Sequence, residues 1–398
     1  MPQNLKRFEQ WAIWLFGLII ILMPILGIGS SINKEVQTSA EIANELNYLL
    51  TYVGPNHADF KTLKANKIAE IIKFVSNQKE KGVLYYPEDI DGITSSYYEV
   101  DVFRSLDQIL QLTDNPEIPS VFTAPSTIRL SRWKTIETND LQRPKLWEQL
   151  PNLNEPISFS GIETVVNTPD ENTGAYYEYD LFRSVILTKY NGRNMLISLS
   201  KQVDTSNVGR KGLIIGQDDQ WDYFYSDQVG LNRAGLSWVD SYIYNSKSVA
   251  FYLESASSGS MVRIGVFKWL RAGWYNINFV ERSHIYDGLD RFTRVLKQIA
   301  EHPSIAHNTK WVDTLHEIQH LPKNRLQPII QDYLHTIQKQ AHKDHTLSSN
   351  EIKAISTDNL YMNSLDRDEM QAILTVEFLK QLMGKQSSIK FKADEMAH

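Results

Sequence analysis

The chain has 398 residues, with 41 Lys+Arg against 47 Asp+Glu, a formal net charge of −6 and a pI of about 6.0. With 42% apolar and 22% charged residues it is a folded globular chain rather than a disordered one, and without long basic runs it is not built for nucleic acid. It contains no cysteine, which excludes disulfides, thiolate nucleophiles, Cys-ligated zinc, iron–sulfur clusters and Cys-linked lipid anchors.

Residues 1–10 are short and polar and carry Lys6 and Arg7. Residues 11–29 then run without a single charge and begin with Trp11 and Trp14. As a helix this stretch would rise roughly 28 Å, close to the thickness of a hydrocarbon core, with the indoles at headgroup level. The basic flank predicts a single-pass signal anchor in the inner membrane, Met1 cytoplasmic and the bulk of the chain in the periplasm or outside the cell. The alternative is a cleaved signal peptide, with Pro24 breaking the helix.

Residues 30–82 predict a helical hairpin. Thr38 or Ser39 caps a helix over 40–53 with Ile42, Leu46, Leu49, Leu50 and Val53 on one stripe, stopped by Gly54-Pro55. A second helix is expected over 59–76, with Phe60, Leu63, Ile68, Ile71, Ile72 and Val75 on one side. These stripes must be hidden against the next domain or against a second copy, so a homo-oligomer is a candidate assembly.

Residues 83–283 have another character. Fifteen of the nineteen tyrosines fall between Tyr85 and Tyr286, and turn signals such as Asp91-Gly92 and Asn191-Gly192 are frequent. Alternating or β-branched runs at 157–166, 176–188, 195–203, 213–216, 221–225, 249–253 and 261–267 predict a mainly antiparallel sheet, with a hairpin at Asn191-Gly192 and an inserted helix over 103–112. Residues 284–385 read as helical: 287–301, 309–320, 324–342, and a last helix capped by Ser364 and running to Met383. Residues 386–398 read as a loose tail. The fold class expected is α+β. By fold-level analogy the sheet and the 287–301 helix would wrap a cavity in the manner of helix-grip lipid-binding folds.

A nine-residue string occurs twice. Tyr97-Tyr98-Glu99-Val100-Asp101-Val102-Phe103-Arg104-Ser105 matches Tyr176-Tyr177-Glu178-Tyr179-Asp180-Leu181-Phe182-Arg183-Ser184 at seven of nine positions. On a strand, Tyr98, Val100 and Val102 would face the core, while Tyr97, Glu99 and Asp101 would share the other face with carboxylates about 7 Å apart. The acids either pair with Arg104, Arg183 and neighbouring hydroxyls to hold two similar strands, or form two related sites for a sugar, a peptide or a cation. Around Trp221, residues 217–228 mix four aspartates with four aromatic rings, a composition that suits a glycan or an amphipathic strand.

His316-Glu317-Ile318-Gln319-His320 matches the HExxH string of zincin metalloproteases, in which two imidazoles one helical turn apart bind zinc and the Glu is general base. Pro322 ends the helix at once, and neither a third histidine nor a glutamate follows at zincin spacing. The residues therefore point first to a non-catalytic exported protein that binds a small molecule, lipid or glycan, or serves in assembly at the membrane face. The alternative is a hydrolase, using zinc at His316 and His320 with Glu317, or paired carboxylates on a glycan.

Overall fold

The computed structural model describes residues 32–137, 143–171, 173–231, 239–255, 260–306, 310–344, 347, 352, 355 and 365–391. It is an α+β structure built on a nine-stranded sheet. The expected membrane stretch 11–29 and the Ser364 cap lie outside the described residues, and among those described no helix is long and apolar enough to cross a membrane.

The chain enters through β1 (Lys34–Gln37), then α1 (Ala40–Leu50) and α2 (Ala69–Ser76). Ser39 caps α1 by accepting from the Ile42 N–H. The second expected helix is shorter than its apolar pattern suggested. Asp59 closes a tight turn by accepting from the Lys61 N–H, and only Ala69 to Ser76 is α-helical. With no capping side chain at Ile68, the helix start is served by Glu45 of α1, which accepts from the Glu70 and Ile71 N–H groups at 3.2 and 2.8 Å.

The strands follow as β2 (Val83–Tyr86), β3 (Thr94–Val102), β4 (Ile128–Glu137), β5 (Ile157–Asn167), β6 (Ala175–Tyr176), β7 (Glu178–Tyr190), β8 (Arg193–Gln202), β9 (Arg210–Ile214), β10 (Tyr223–Val229), β11 (Ser241–Glu254) and β12 (Val262–Trp274). Two short helices, α3 (Leu106–Thr113) and α4 (Ser120–Thr123), precede β4, and α5 (Leu146–Gln149) follows it. The large sheet has the order β1-β2-β3-β12-β11-β8-β7-β5-β4, and β10-β9-β6 form a second small sheet. All pairs are antiparallel except β1 with β2. The β7–β8 hairpin turns at Asn191 and Gly192, both with positive φ (49° and 78°), as a two-residue turn of the primed type requires. The inserted helix starts later than expected because Phe103 and Arg104 leave the strand and Ser105 with Gln108 forms a capping box.

The sheet is covered on both faces. Leu46, Leu49, Ile71 and Val75 pack against Ile197, Val249, Phe251 and Phe267 on one face, so the N-terminal helices hide their stripe on the sheet itself. Each such fully buried side chain contributes roughly 1.5–3 kcal/mol. The other face carries Val185, Leu187, Leu196, Ile264 and Val266 under α3, α4 and the long α6 (Arg282–Glu301). Beyond α7 (Pro303–Ala306) come α8 (Trp311–His320), α9 (Lys323–Ala341) and α10 (Arg367–Leu382). The cap of α10 is Asp366, in a reciprocal box with Glu369. Residues 386–391 are not loose: the Ser387 hydroxyl and the Ser388 N–H donate to Glu377, and Phe391 packs edge-on against Phe378.

Candidate functional site

Alternation along β7 turns Leu181, Arg183, Val185 and Leu187 toward α3 and α6, and Arg183 is the one charge in that row. Its register partner on β5 is Gly161, where a Cβ would lie 2.1 Å from the Thr135 carbonyl oxygen of the bulged β4. Glycine is therefore required there, and it leaves Arg183 free to lean along β5. Arg183 Nε donates to Glu163, which also accepts from the Ser131 hydroxyl, and Arg183 Nη1 donates to Ser198 of β8 at 3.3 Å.

Above this pair, where α3 ends, the Thr113 hydroxyl donates to the Asp114 carboxylate at 2.8 Å. Arg143 Nη2 donates to the Asp114 carbonyl at 2.6 Å, and its guanidinium lies over the Trp133 and Phe159 rings. The Arg143 Nε has no acceptor among the described residues. Burial raises the Asp114 carboxyl above its ordinary range, against the pull of Arg143, and burial lowers the Arg143 guanidinium in spite of Asp114 and Glu163. Burial opposes the charge on Arg183, yet Glu163 beside it holds that guanidinium above its ordinary value. Burial pushes the Tyr252 phenol up to about 12. These groups line a cavity of about 150 Å³, walled by Tyr252 and Leu196 of the sheet and by Phe292 and Leu296 of α6. A volume of that order accepts a single benzene-sized ring, and the charged groups at its rim can fix a polar substituent.

The other expected residues fall elsewhere. The first copy of the repeat runs along β3 as far as Val102, and its Phe103, Arg104 and Ser105 lie beyond the strand. Tyr97 is buried and donates to Glu99 at 2.8 Å, and the Lys79 N–H donates to the same carboxylate at 2.9 Å. Asp101 takes a two-pronged bond from Arg263 at 2.6 and 2.7 Å. Arg104 joins neither acid; it donates to the Ala300 and Glu301 carbonyls at the end of α6, where a cation suits the helix dipole. It also lines a groove of about 330 Å³ beside Trp147 and Trp311, with its guanidinium already engaged.

The second copy is split between the two sheets. Tyr176 sits on β6 and donates to the Ser226 carbonyl, whereas Asp180 on β7 pairs with Lys134 at 2.8 Å and accepts from Thr164 at 2.7 Å. Glu178 is exposed and, with Tyr176, lines a cleft of about 90 Å³ among Arg129, Arg132 and Arg210. The two copies therefore place Asp101 and Asp180 on the same sheet face with unrelated partners. Trp221 is buried in a left-handed conformation (φ 59°) beneath the Lys385 ammonium, 4.8 Å from its ring centre, and is no part of the cavity wall.

His316 and His320 lie exposed at the end of α8, ring centres 4.1 Å apart, and His320 Nδ1 is bonded to the carbonyl of His316 at 2.7 Å. Among the described residues no group of three or more His, Asp or Glu side chains could hold a metal ion. Of the residues singled out from sequence, only Arg183 reaches the cavity. Glu163, Arg143 and Asp114 gave no motif; the one available signal was a Gly161 set opposite a charged position within a β-branched run. Compared with known proteins, the chain matches no protein-family model and no curated protein.

Proposed function

We propose that the chain is a non-catalytic binding protein, exported and held at the outer face of the inner membrane by residues 11–29, which takes a small molecule between the sheet and α6. The observation that carries this reading is the 150 Å³ cavity in which Arg143, Arg183, Asp114 and Glu163 converge around aromatic and aliphatic walls. Each of the acids offered for catalysis on β3 is engaged: Glu99 by Tyr97 and Lys79, Asp101 by Arg263. That favours binding over a paired-carboxylate hydrolase acting through those two acids. The placement of a long helix over a sheet face supports the helix-grip analogy, with a polar cavity in place of a greasy one.

The location rests on the uncharged stretch 11–29 behind Lys6 and Arg7, and on a chain that has no thiol to mispair in an oxidising compartment. Thermal-shift screening of the full chain against small ring compounds, lipids and glycans tests the binding, with Ser198→Leu placed to fill the cavity. A ring compound that raises the melting temperature in the parent and not in the folded variant supports the reading; equal shifts in both refute it. Alkaline carbonate extraction tests the anchor, and release of full-length soluble protein refutes it.

A further inference from the structure

The cavity beneath α6 is lined by two guanidinium and two carboxyl groups, those of Arg143, Arg183, Asp114 and Glu163, so their formal charges cancel. Half of that balance is closed internally. Arg183 and Glu163 form an ion pair, and both Glu163 oxygens are occupied, one by Arg183 and the other by Ser131. The other half is left open. Arg143 Nη2 donates to the Asp114 main-chain carbonyl, not to its carboxylate, and no ion pair joins the two side chains. Two opposite charges therefore line one cavity with more than 4.0 Å between their nearest nitrogen and oxygen.

Both side chains keep unused bonding capacity. Among the described residues the Asp114 carboxylate accepts only from the Thr113 hydroxyl, at 2.8 Å, where a carboxylate has room for several donors. Arg143 gives a single hydrogen bond, and its Nε is buried without an acceptor among those residues. Burial works against both charges: it raises the Asp114 carboxyl and lowers the Arg143 guanidinium, each against the pull of the other. The Tyr252 hydroxyl lines the same cavity, makes no hydrogen bond among the described residues, and lies in the field of Asp114 and Arg183. A charge withdrawn from water without its counter-ion is costly, and an opposite charge brought from outside removes that cost. A lone anion would serve Arg143 but face Asp114, and a lone cation would serve Asp114 but face Arg143 and Arg183. A ligand carrying both signs answers both.

We propose that the molecule bound in the cavity is a zwitterion of the α-amino acid class, its carboxylate on Arg143, its ammonium on Asp114 and its apolar side chain against Leu196, Tyr252 and Phe292. This deepens the binding reading above and rests on it. An α-amino acid carries both charges on one carbon, so a single head group bridges the gap that keeps Arg143 and Asp114 apart. The Arg183–Glu163 pair stays intact beside it, since each of its members is already compensated. The aromatic and aliphatic walls accept one benzene-sized ring. Hydrogen bonds between ionised partners are roughly twice as strong as neutral ones. Removing either charge from the ligand therefore weakens binding and leaves the facing protein group uncompensated.

The test compares L-phenylalanine with hydrocinnamate, which lacks the ammonium, and phenethylamine, which lacks the carboxylate, by isothermal titration calorimetry on the full chain. L-phenylalanine is expected to bind at least tenfold more tightly than either. Asp114→Asn keeps an oxygen for the Thr113 hydroxyl and removes the charge. Shown folded by circular dichroism, it is expected to bring L-phenylalanine down to the affinity of hydrocinnamate. A singly charged compound that binds the parent protein as tightly as L-phenylalanine overturns the zwitterion assignment while the cavity reading stands. No binding of any of the three overturns the proposal, and the wider thermal-shift screen then decides the cavity reading. An L-phenylalanine preference that survives in Asp114→Asn removes Asp114 from the site and refutes the proposal. The parent comparison needs no variant, so it decides the assignment even where Asp114→Asn fails to fold.

Discussion

Replacing Lys380 by methionine should be among the most damaging single changes in the C-terminal region. Lys380 is 0% exposed, and its ammonium donates to Asp222 at 2.5 Å and to Glu377 at 2.7 Å, whose side chains are 8% and 1% exposed. Burial raises the Asp222 carboxyl in spite of the lysine, a sign of how little water reaches it. Methionine keeps the length and volume of the side chain, so the loss is electrostatic: two carboxylates are left facing each other without their cation. Breaking a buried ion pair by removing one partner costs about 3–5 kcal/mol. With an m value of about 3 kcal/mol/M, the urea midpoint read by tryptophan fluorescence should fall by roughly 1–1.7 M. Adding Asp222→Asn and Glu377→Gln to Lys380→Met removes the stranded charges and should restore most of that loss, since the Ser387 and Ser388 donors to position 377 retain an oxygen to bond. A single variant within about 1 kcal/mol of the parent, or a triple variant no more stable than the single one, would refute the reasoning.

Arg263→Ala strands Asp101 and frees the Ser76 carbonyl at the end of α2, and should cost about 1.5–3 kcal/mol in urea unfolding. Lys268 titrates near 8 when folded, below its unfolded value, so the unfolded chain holds more protons between those values. Relative to Lys268→Met, the stability of the parent should therefore rise as pH climbs from about 8 toward 10 and be flat below 8, with Arg183 the like charge that faces it; a flat difference throughout would contradict the burial of this amine. Mass-spectrometric metal analysis of untagged protein should find far less than one equivalent of zinc, and one equivalent that disappears in His316→Ala would restore the zinc site.

Several elements were legible because they obey local rules. The Ile42–Leu46–Leu49 stripe, the Asn191-Gly192 hairpin and the alternation of β5, β7 and β8 are each fixed within a few residues. The strand β4 was not anticipated, since Lys134 and Glu137 on an exposed edge break the apolar alternation that marks a buried strand. The helix expected over 59–76 was too long because Asp59 and Thr62 prefer a locally bonded turn to a helical one. The repeated string promised two equivalent sites, yet its acids met partners supplied from distant segments: Arg263 from β12 for one copy, Lys134 from β4 for the other.

The sequence by itself determined the apolar stripes of several helices and the alternation of β5, β7 and β8, the absence of thiol chemistry, and a charge-free stretch at 11–29 long enough to enter a bilayer. Those properties depend on neighbours along the chain and on composition. Only the tertiary structure decided that Asp114 and Glu163 lie with Arg143 and Arg183 around one cavity, and that Lys380 is sealed between two acids. Strand order and register set these meetings between residues tens to hundreds of positions apart, and no local pattern records them.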